Sequence, residues 1–171
     1  MGGMKMKSLR EAIRLILEAD ASCPAATQDL KLNTKNRNAA IKAKHIHYGP
    51  LNLADEEYWE HIAEHWDTTA DVAKQSTCGN CAAFDISPKM QECMPGEIMP
   101  QEEIDAALES GEPWQSLGYC WMHHFKCHSA RSCYTWAAGG PITDDAVSTS
   151  WQSKSVSESA QKHRLTVLRN V

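Results

Sequence analysis

The stretch 78-CGNCAAFDISPKMQECMPGEIMPQEEIDAALESGEPWQSLGYCWMHHFKCHSARSC-133 holds six of the seven cysteines in 56 residues of a 171-residue chain. Cys78 and Cys81 form a C-x2-C knuckle, in which two thiolates reach one metal centre from a single turn while Gly79 and Asn80 accept tight backbone geometry. Cys93, Cys120, Cys127 and Cys133 follow after 11, 26, 6 and 5 intervening residues. Structural cysteines scattered through a core do not cluster in this way. The stretch therefore reads as a Cys-rich domain, residues 77–140, held together by inorganic chemistry.

The rest of the chain supports that reading. Leu, Ile, Val and Phe are sparse and the mean hydropathy is -0.49, so the apolar core is expected to be modest. Small cores are commonly supplemented by a metal or by disulfides. Arg10, Glu11, Arg14 and Glu18 interrupt any apolar run near the start, so no secretory signal is expected there, and no transmembrane segment is visible. Unexported cysteines begin as thiols, which in such clusters more often bind metal than form bridges. Seven is an odd count, so Cys23 is expected to stand apart.

Working outward, Ser8 and Glu11 form a capping box, and Leu9, Ile13, Ile16 and Leu17 then share a face, which predicts an amphipathic helix within residues 1–21. Residues 22–47 show neither helical nor strand period and read as an extended basic arm. Tyr48-Gly49-Pro50 predicts a turn. After it, Leu53, Tyr58, Trp59, Ile62, Ala63, Trp66 and Val72 fall at helical spacing, which predicts one acidic helical segment, residues 48–76, running into Cys78. His61 and His65 on it, at i and i+4, read as solvated. Between Cys93 and Cys120, acidic residues open and Gly111 closes a small helix built on Ile104, Ala107 and Leu108. Residues 141–171 are polar and read as a C-terminal arm. The fold class expected is mainly α plus irregular structure, with few short helices, little β and extended N- and C-terminal arms around a metal-stapled domain.

Charge is segregated. Residues 1–47 carry nine Lys/Arg against four Asp/Glu, residues 48–119 two against fifteen, and residues 120–171 six against three. Basic arms thus flank an acidic body. They suit docking on acidic surfaces of neighbouring subunits, whereas no basic run is interleaved with aromatics as nucleic-acid binding would require.

Three chemistries suit the thiols. A cuboidal iron-sulfur cluster needs four thiolates and a dry shell, and Phe84, Tyr119, Trp121, Phe125, Tyr134 and Trp136 supply half of the twelve aromatics beside the cysteines. Zinc needs four N or S ligands, and Cys78, Cys81, Cys120 and His123 offer C-x2-C with C-x2-H. Disulfides alone leave the knuckle without a purpose. Cys127 and Cys133 are expected to be a disulfide or buried thiols beside the centre. His123, His124 and His128 lack an orienting partner or oxyanion motif, and Gly139-Gly140-Pro141 lacks the Lys of a phosphate loop, so the chain reads as a non-enzyme.

CGNCAAFD, CMPGE and GYCW, in that order, resemble the high-potential iron-sulfur protein pattern. Over residues 77–123 the resemblance implies one [4Fe-4S] cluster on Cys78, Cys81, Cys93 and Cys120, with Phe84, Tyr119 and Trp121 around it. SCYTWAAGG is similar to that family's final C-x-x-W segment, so Cys133 competes with Cys120 for the fourth position. The runs HYGPLNLADEEYWEHIAEHWDTT and LGYCWMHHFKCHSARSCYTWAAGGPI also resemble uncharacterised virion proteins of T4-like marine bacteriophages. That resemblance implies a virion structural protein assembled in the bacterial host cytoplasm. Its partners would be other virion proteins or copies of itself. An electron-transfer role and a zinc-stapled interaction module are the alternatives.

Overall fold

A computed structural model describes residues 23–47, 53–112 and 114–155. The helix expected near Leu9–Leu17, the turn at Tyr48-Gly49-Pro50 and the last part of the C-terminal arm lie outside the described residues. The elements run α1 (Ala25–Gln28), α2 (Leu30–Lys42), α3 (Glu56–His65), α4 (Ala70–Gln75), a 3-10 turn (Cys78–Asn80), β1 (Phe84–Asp85), α5 (Pro88–Cys93), α6 (Gln101–Ser110), β2 (Leu117–Cys120) and β3 (Phe125–His128). A last helix, α7, covers residues 145–155. The expected class, mainly helical with little β, is what folds.

Several helices start where a side chain meets free amides. Asp29 Oδ1 accepts from Lys31 N and Leu32 N at 2.8 and 3.1 Å to open α2, and Ser87 with Pro88 at the first position opens α5. Gly111, with φ 71, ends α6 as its sequence position implies. The expected single helix before Cys78 is two. Asp67 takes φ 52 between them and Thr69 caps α4, so the chain turns and folds α4 back on α3. Trp59, Ile62, Ala63 and Ala73 are buried in that hairpin, each large side chain contributing about 1.5–3 kcal/mol.

The sheet is antiparallel in the order β1-β2-β3. Phe84 faces Cys120, Gly118 faces Cys127, and Cys120 faces Phe125, while Asp85 and Lys126 flank Tyr119. Paired residues share a face. Phe84, Cys120, Cys127 and Phe125 therefore stand on one side of the sheet and Tyr119 on the other. Gly118 sits on the first side because Phe84 lies on it: a Cβ there would come within 2.3 Å of the ring.

Of the expected basic arm, residues 22–47, the described part, 23–47, is not extended. Asn33 Oδ1 accepts from Lys126 N at 2.8 Å and Asn36 Nδ2 donates to His124 O at 2.7 Å, so α2 lies on the Tyr119 side. The helix was hidden from periodicity because Asn33 and Asn36 make its hydrogen bonds to the sheet region. Nor are residues 141–155 an arm: Ile142 is in the core, bridging to Asp85, and Lys89 N donates to Asp145 Oδ1 at 2.8 Å.

Candidate metal centre

Cys23 does not stand apart. It forms a disulfide with Cys93, 70 positions away. This bridge ties the start of the described chain to α5 and removes Cys93 from the expected ligand set, because a disulfide sulfur is not a thiolate. The remaining five cysteines, Cys78, Cys81, Cys120, Cys127 and Cys133, are free. Cys127 and Cys133 are thus thiols, not a disulfide.

The five thiols come together from four segments. Cys78 and Cys81 come from the 3-10 turn, Cys120 from the end of β2, Cys127 from β3 and Cys133 from the loop after it. The turn is held from outside: Cys78 N donates to Arg131 O at 2.6 Å, Gly79 N to Ser129 O at 2.8 Å and Ala82 N to Ala137 O at 2.8 Å. Trp136 Nε1 donates to Thr77 O at 2.8 Å. The 137–142 segment passes so close that a Cβ on Gly140 would fall 1.8 Å from the carbonyl oxygen of Cys81. Each contact fixes the knuckle against the Cys133 loop.

Cys78, Cys120, Cys127 and Cys133 line one cavity of about 30 Å³, together with Ile46, His47, His123, Phe125, Arg131 and Ser132. Organic ligands occupy pockets of about 300–1,000 Å³, so this cavity is too small for one. A larger groove of about 670 Å³ runs outside the knuckle, past Thr77, Asn80 and Trp114. Among the described residues its charged lining groups are Lys74 and Glu112.

Three of the sulfurs share a local arrangement. Cys81 accepts from the amides of Ala83 and Ala137, Cys120 from those of Met122 and His123, and Cys133 from Thr135 N and, at 3.3 Å, exchanges a hydrogen bond with the Thr135 hydroxyl. In each case the amide two residues on turns back to the sulfur. Neutral thiols are weak acceptors, so amides aimed this way fit a thiolate.

Cys127 differs, since its buried thiol interacts with those of Cys120 and Cys78. Its proton serves Cys120, whose thiol is held below its ordinary range by Cys127 first, against the cost of burial, while Cys127 is pushed well above by Cys120, Cys78 and burial. Burial raises Cys81, and raises Cys133 to about 12. Isolated thiolates are costly here and a cation among them would reverse that cost.

Among the described residues, no group of three or more His, Cys, Asp or Glu side chains is gathered as one metal ion would need. His123 of the alternative zinc set has partners of its own. His123 Nε2 is 2.7 Å from Thr135 Oγ1, and its ring stacks on His45 at 5.5 Å. Burial, then the neighbouring His45 and His124, lower its pKa to about 4.

Of the three expected shell aromatics, Phe84 lies on the thiol side. Tyr119 and Trp121 line the opposite groove with Leu32 and Asn36, and Trp121 Nε1 donates to buried Asp85 Oδ2 at 2.7 Å. Phe125 and Ile46 take their place at the cavity. Ile46 lies 32 positions before Cys78 and no sequence signal marks it, whereas Phe125 follows from the period-two alternation with Cys127.

Compared with known proteins, the chain matches no family model, no curated protein and no solved structure.

Proposed function

We propose that this protein is a structural component stapled by a [4Fe-4S] cluster on Cys78, Cys81, Cys120 and Cys133. The observation that carries the reading is the repeated amide-to-sulfur turn at Cys81, Cys120 and Cys133, three thiols that flank Cys78. With Cys93 taken by the disulfide, Cys120 and Cys133 no longer compete, and both complete the set with the knuckle. A cuboidal cluster meets each thiolate at a different iron, so its sulfurs need not converge on one point. The residues fit such a group in donor type and number. The cluster would supply cross-links among three loops and the sheet, coupling binding to folding. Cys127 would give up its bonds to Cys120 and Cys78 and remain as a buried thiol beside the centre, because the cavity is narrow before the group enters.

The setting we propose is an assembly, the virion implied by the sequence resemblance, in which other virion proteins or copies of the chain are the partners. The Cys23–Cys93 bridge suits a particle that leaves the cell, since disulfides persist on virion surfaces. A zinc centre is the second reading, favoured by the contacts of Cys127 with Cys120 and Cys78. Zinc sits about 2.3 Å from each sulfur, which demands sulfurs in mutual contact.

The test is metal and sulfide analysis of protein purified without oxygen, with the absorbance spectrum. The cluster reading expects brown protein with iron and acid-labile sulfide in equal amounts, lost in Cys81→Ser and Cys133→Ser and kept in Cys127→Ala. Colourless protein with stoichiometric zinc, retained in Cys81→Ser and lost in Cys127→Ala, would replace it with the second reading.

A further inference from the structure

Charge segregation along the sequence becomes segregation in space. On α2, Lys31, Lys35 and Lys42 are exposed and, at spacings of four and seven, share one helix face. No Asp or Glu occurs between Asp29 and Asp55. On α3, Glu57, Glu60 and Glu64 are exposed and share a face by the same rule. Lys74, which pairs with Glu56 at 2.8 Å, is the one Lys or Arg between Asp55 and Gln75. The two stripes run about 16 and 10 Å along their axes. Exposed apolar side chains occur on both parts: Leu30 and Ile41 of α2 are 72% and 38% exposed, and Leu53 before α3 and Val72 of α4 are 44% and 48% exposed.

The stripes lie on opposite sides of the sheet. α2 is bonded to β3 and the turn before it through Asn33 and Asn36 on the Tyr119 side. α3 is bonded to the thiol side, where Tyr58 Oη donates to Ser132 O at 2.9 Å and Trp66 Nε1 to Tyr134 O at 3.2 Å. One molecule cannot join its own stripes, but two copies in a row can. We infer that the α2 face of one copy docks on the α3–α4 face of the next, a head-to-tail contact between copies of this chain. Such heterologous contacts propagate into rings or filaments. Unlike charges steer the encounter and fix the register, and the exposed Leu30, Ile41, Leu53 and Val72 supply the apolar contact. The inference rests on the assembly reading above and is independent of what the thiols hold.

Full-length protein is examined by sedimentation velocity at low and high salt, with metal content measured on the same samples. Wild type should grow in mass with concentration at low ionic strength, and at least tenfold higher concentration should be needed at 0.5 M salt, roughly where charges over 5 Å apart are screened. The triple variants Lys31→Glu/Lys35→Glu/Lys42→Glu and Glu57→Lys/Glu60→Lys/Glu64→Lys should each remain monomeric with unchanged metal content. Mixed one to one they should assemble again, because each mixed junction pairs opposite charges. All six side chains are exposed, and far-ultraviolet circular dichroism checks that both variants fold. A monomeric wild type, or variants that stay apart when mixed, overturns the inference. So does binding of the lysine face to duplex DNA without self-association, which would make a polyanion the occupant. Loss of metal with assembly intact would count against the metal centre alone.

Discussion

Two regions of this molecule use cysteine in opposite ways. On the Tyr119 side, Cys23 and Cys93 join two segments 70 positions apart by one covalent bond. On the other side, five thiols remain free, and their neighbours are arranged around them: amides of Ala83, Met122 and Thr135 point at sulfur, and Gly118 and Gly140 clear space for Phe84 and for the passing chain. The comparison teaches that a cysteine's place in a spacing pattern does not fix its role: Cys93 has the spacing and is taken by the disulfide.

The two regions should fail differently. The largest effect is expected at the thiols. Binding of a structural metal is folding free energy, about 10 kcal/mol or more in small domains, against a total stability of roughly 5–15 kcal/mol. Cys78→Ser or Cys120→Ser should therefore abolish metal binding and the cooperative thermal transition together. Cys23→Ser should cost less, about 2–4 kcal/mol through the freer unfolded chain, and metal content should be unchanged. If Cys23→Ser lost the metal, the two regions would not be independent and the division drawn here would fail.

Smaller changes sharpen the boundary. Gly118→Val places a branched side chain where Phe84 already lies, 2.3 Å from the would-be Cβ, and overpacking of this kind costs about 1–3 kcal/mol. Denaturant unfolding should show that loss, with the disulfide intact. The smallest effect concerns His123. Its pKa falls from 6.5 to about 4 through burial and the neighbouring His45 and His124, so the unfolded chain binds the proton more readily. Stability from this group is fully present above pH 6.5 and declines as pH falls toward 4. The full value would be about 3 kcal/mol, and screening at a half-buried ring reduces it to roughly 1–2 kcal/mol. His123→Gln should flatten the stability curve between pH 6.5 and 4 relative to wild type.

Much of the frame was legible in the sequence, and the misses have physical causes. α6 was visible because Ile104, Ala107 and Leu108 repeat at helical period and Gly111 ends it. α2 was not, because Asn33 and Asn36 hold it to the sheet by hydrogen bonds that hydrophobic periodicity does not record. The break at Asp67 was hidden because no Gly or Pro marks it between Trp66 and Val72. At the site, the clustering of cysteines pointed to the region that holds the five free thiols. The pairing of Cys23 with Cys93 was not readable, since a disulfide depends on approach in space and local spacing carries no trace of it. Tyr119 was placed near the centre because it adjoins Cys120, but neighbouring strand residues face opposite ways.

X-ray absorption at the metal edge of anaerobically purified protein tests the central claim most directly, since it counts the sulfurs and detects metal neighbours of metal. The account predicts iron with all-sulfur ligation and an iron–iron scattering path, which disappears in Cys133→Ser and persists in Cys127→Ala. A lone metal ion without that path, ligation by nitrogen or oxygen, or no bound metal at all would contradict it.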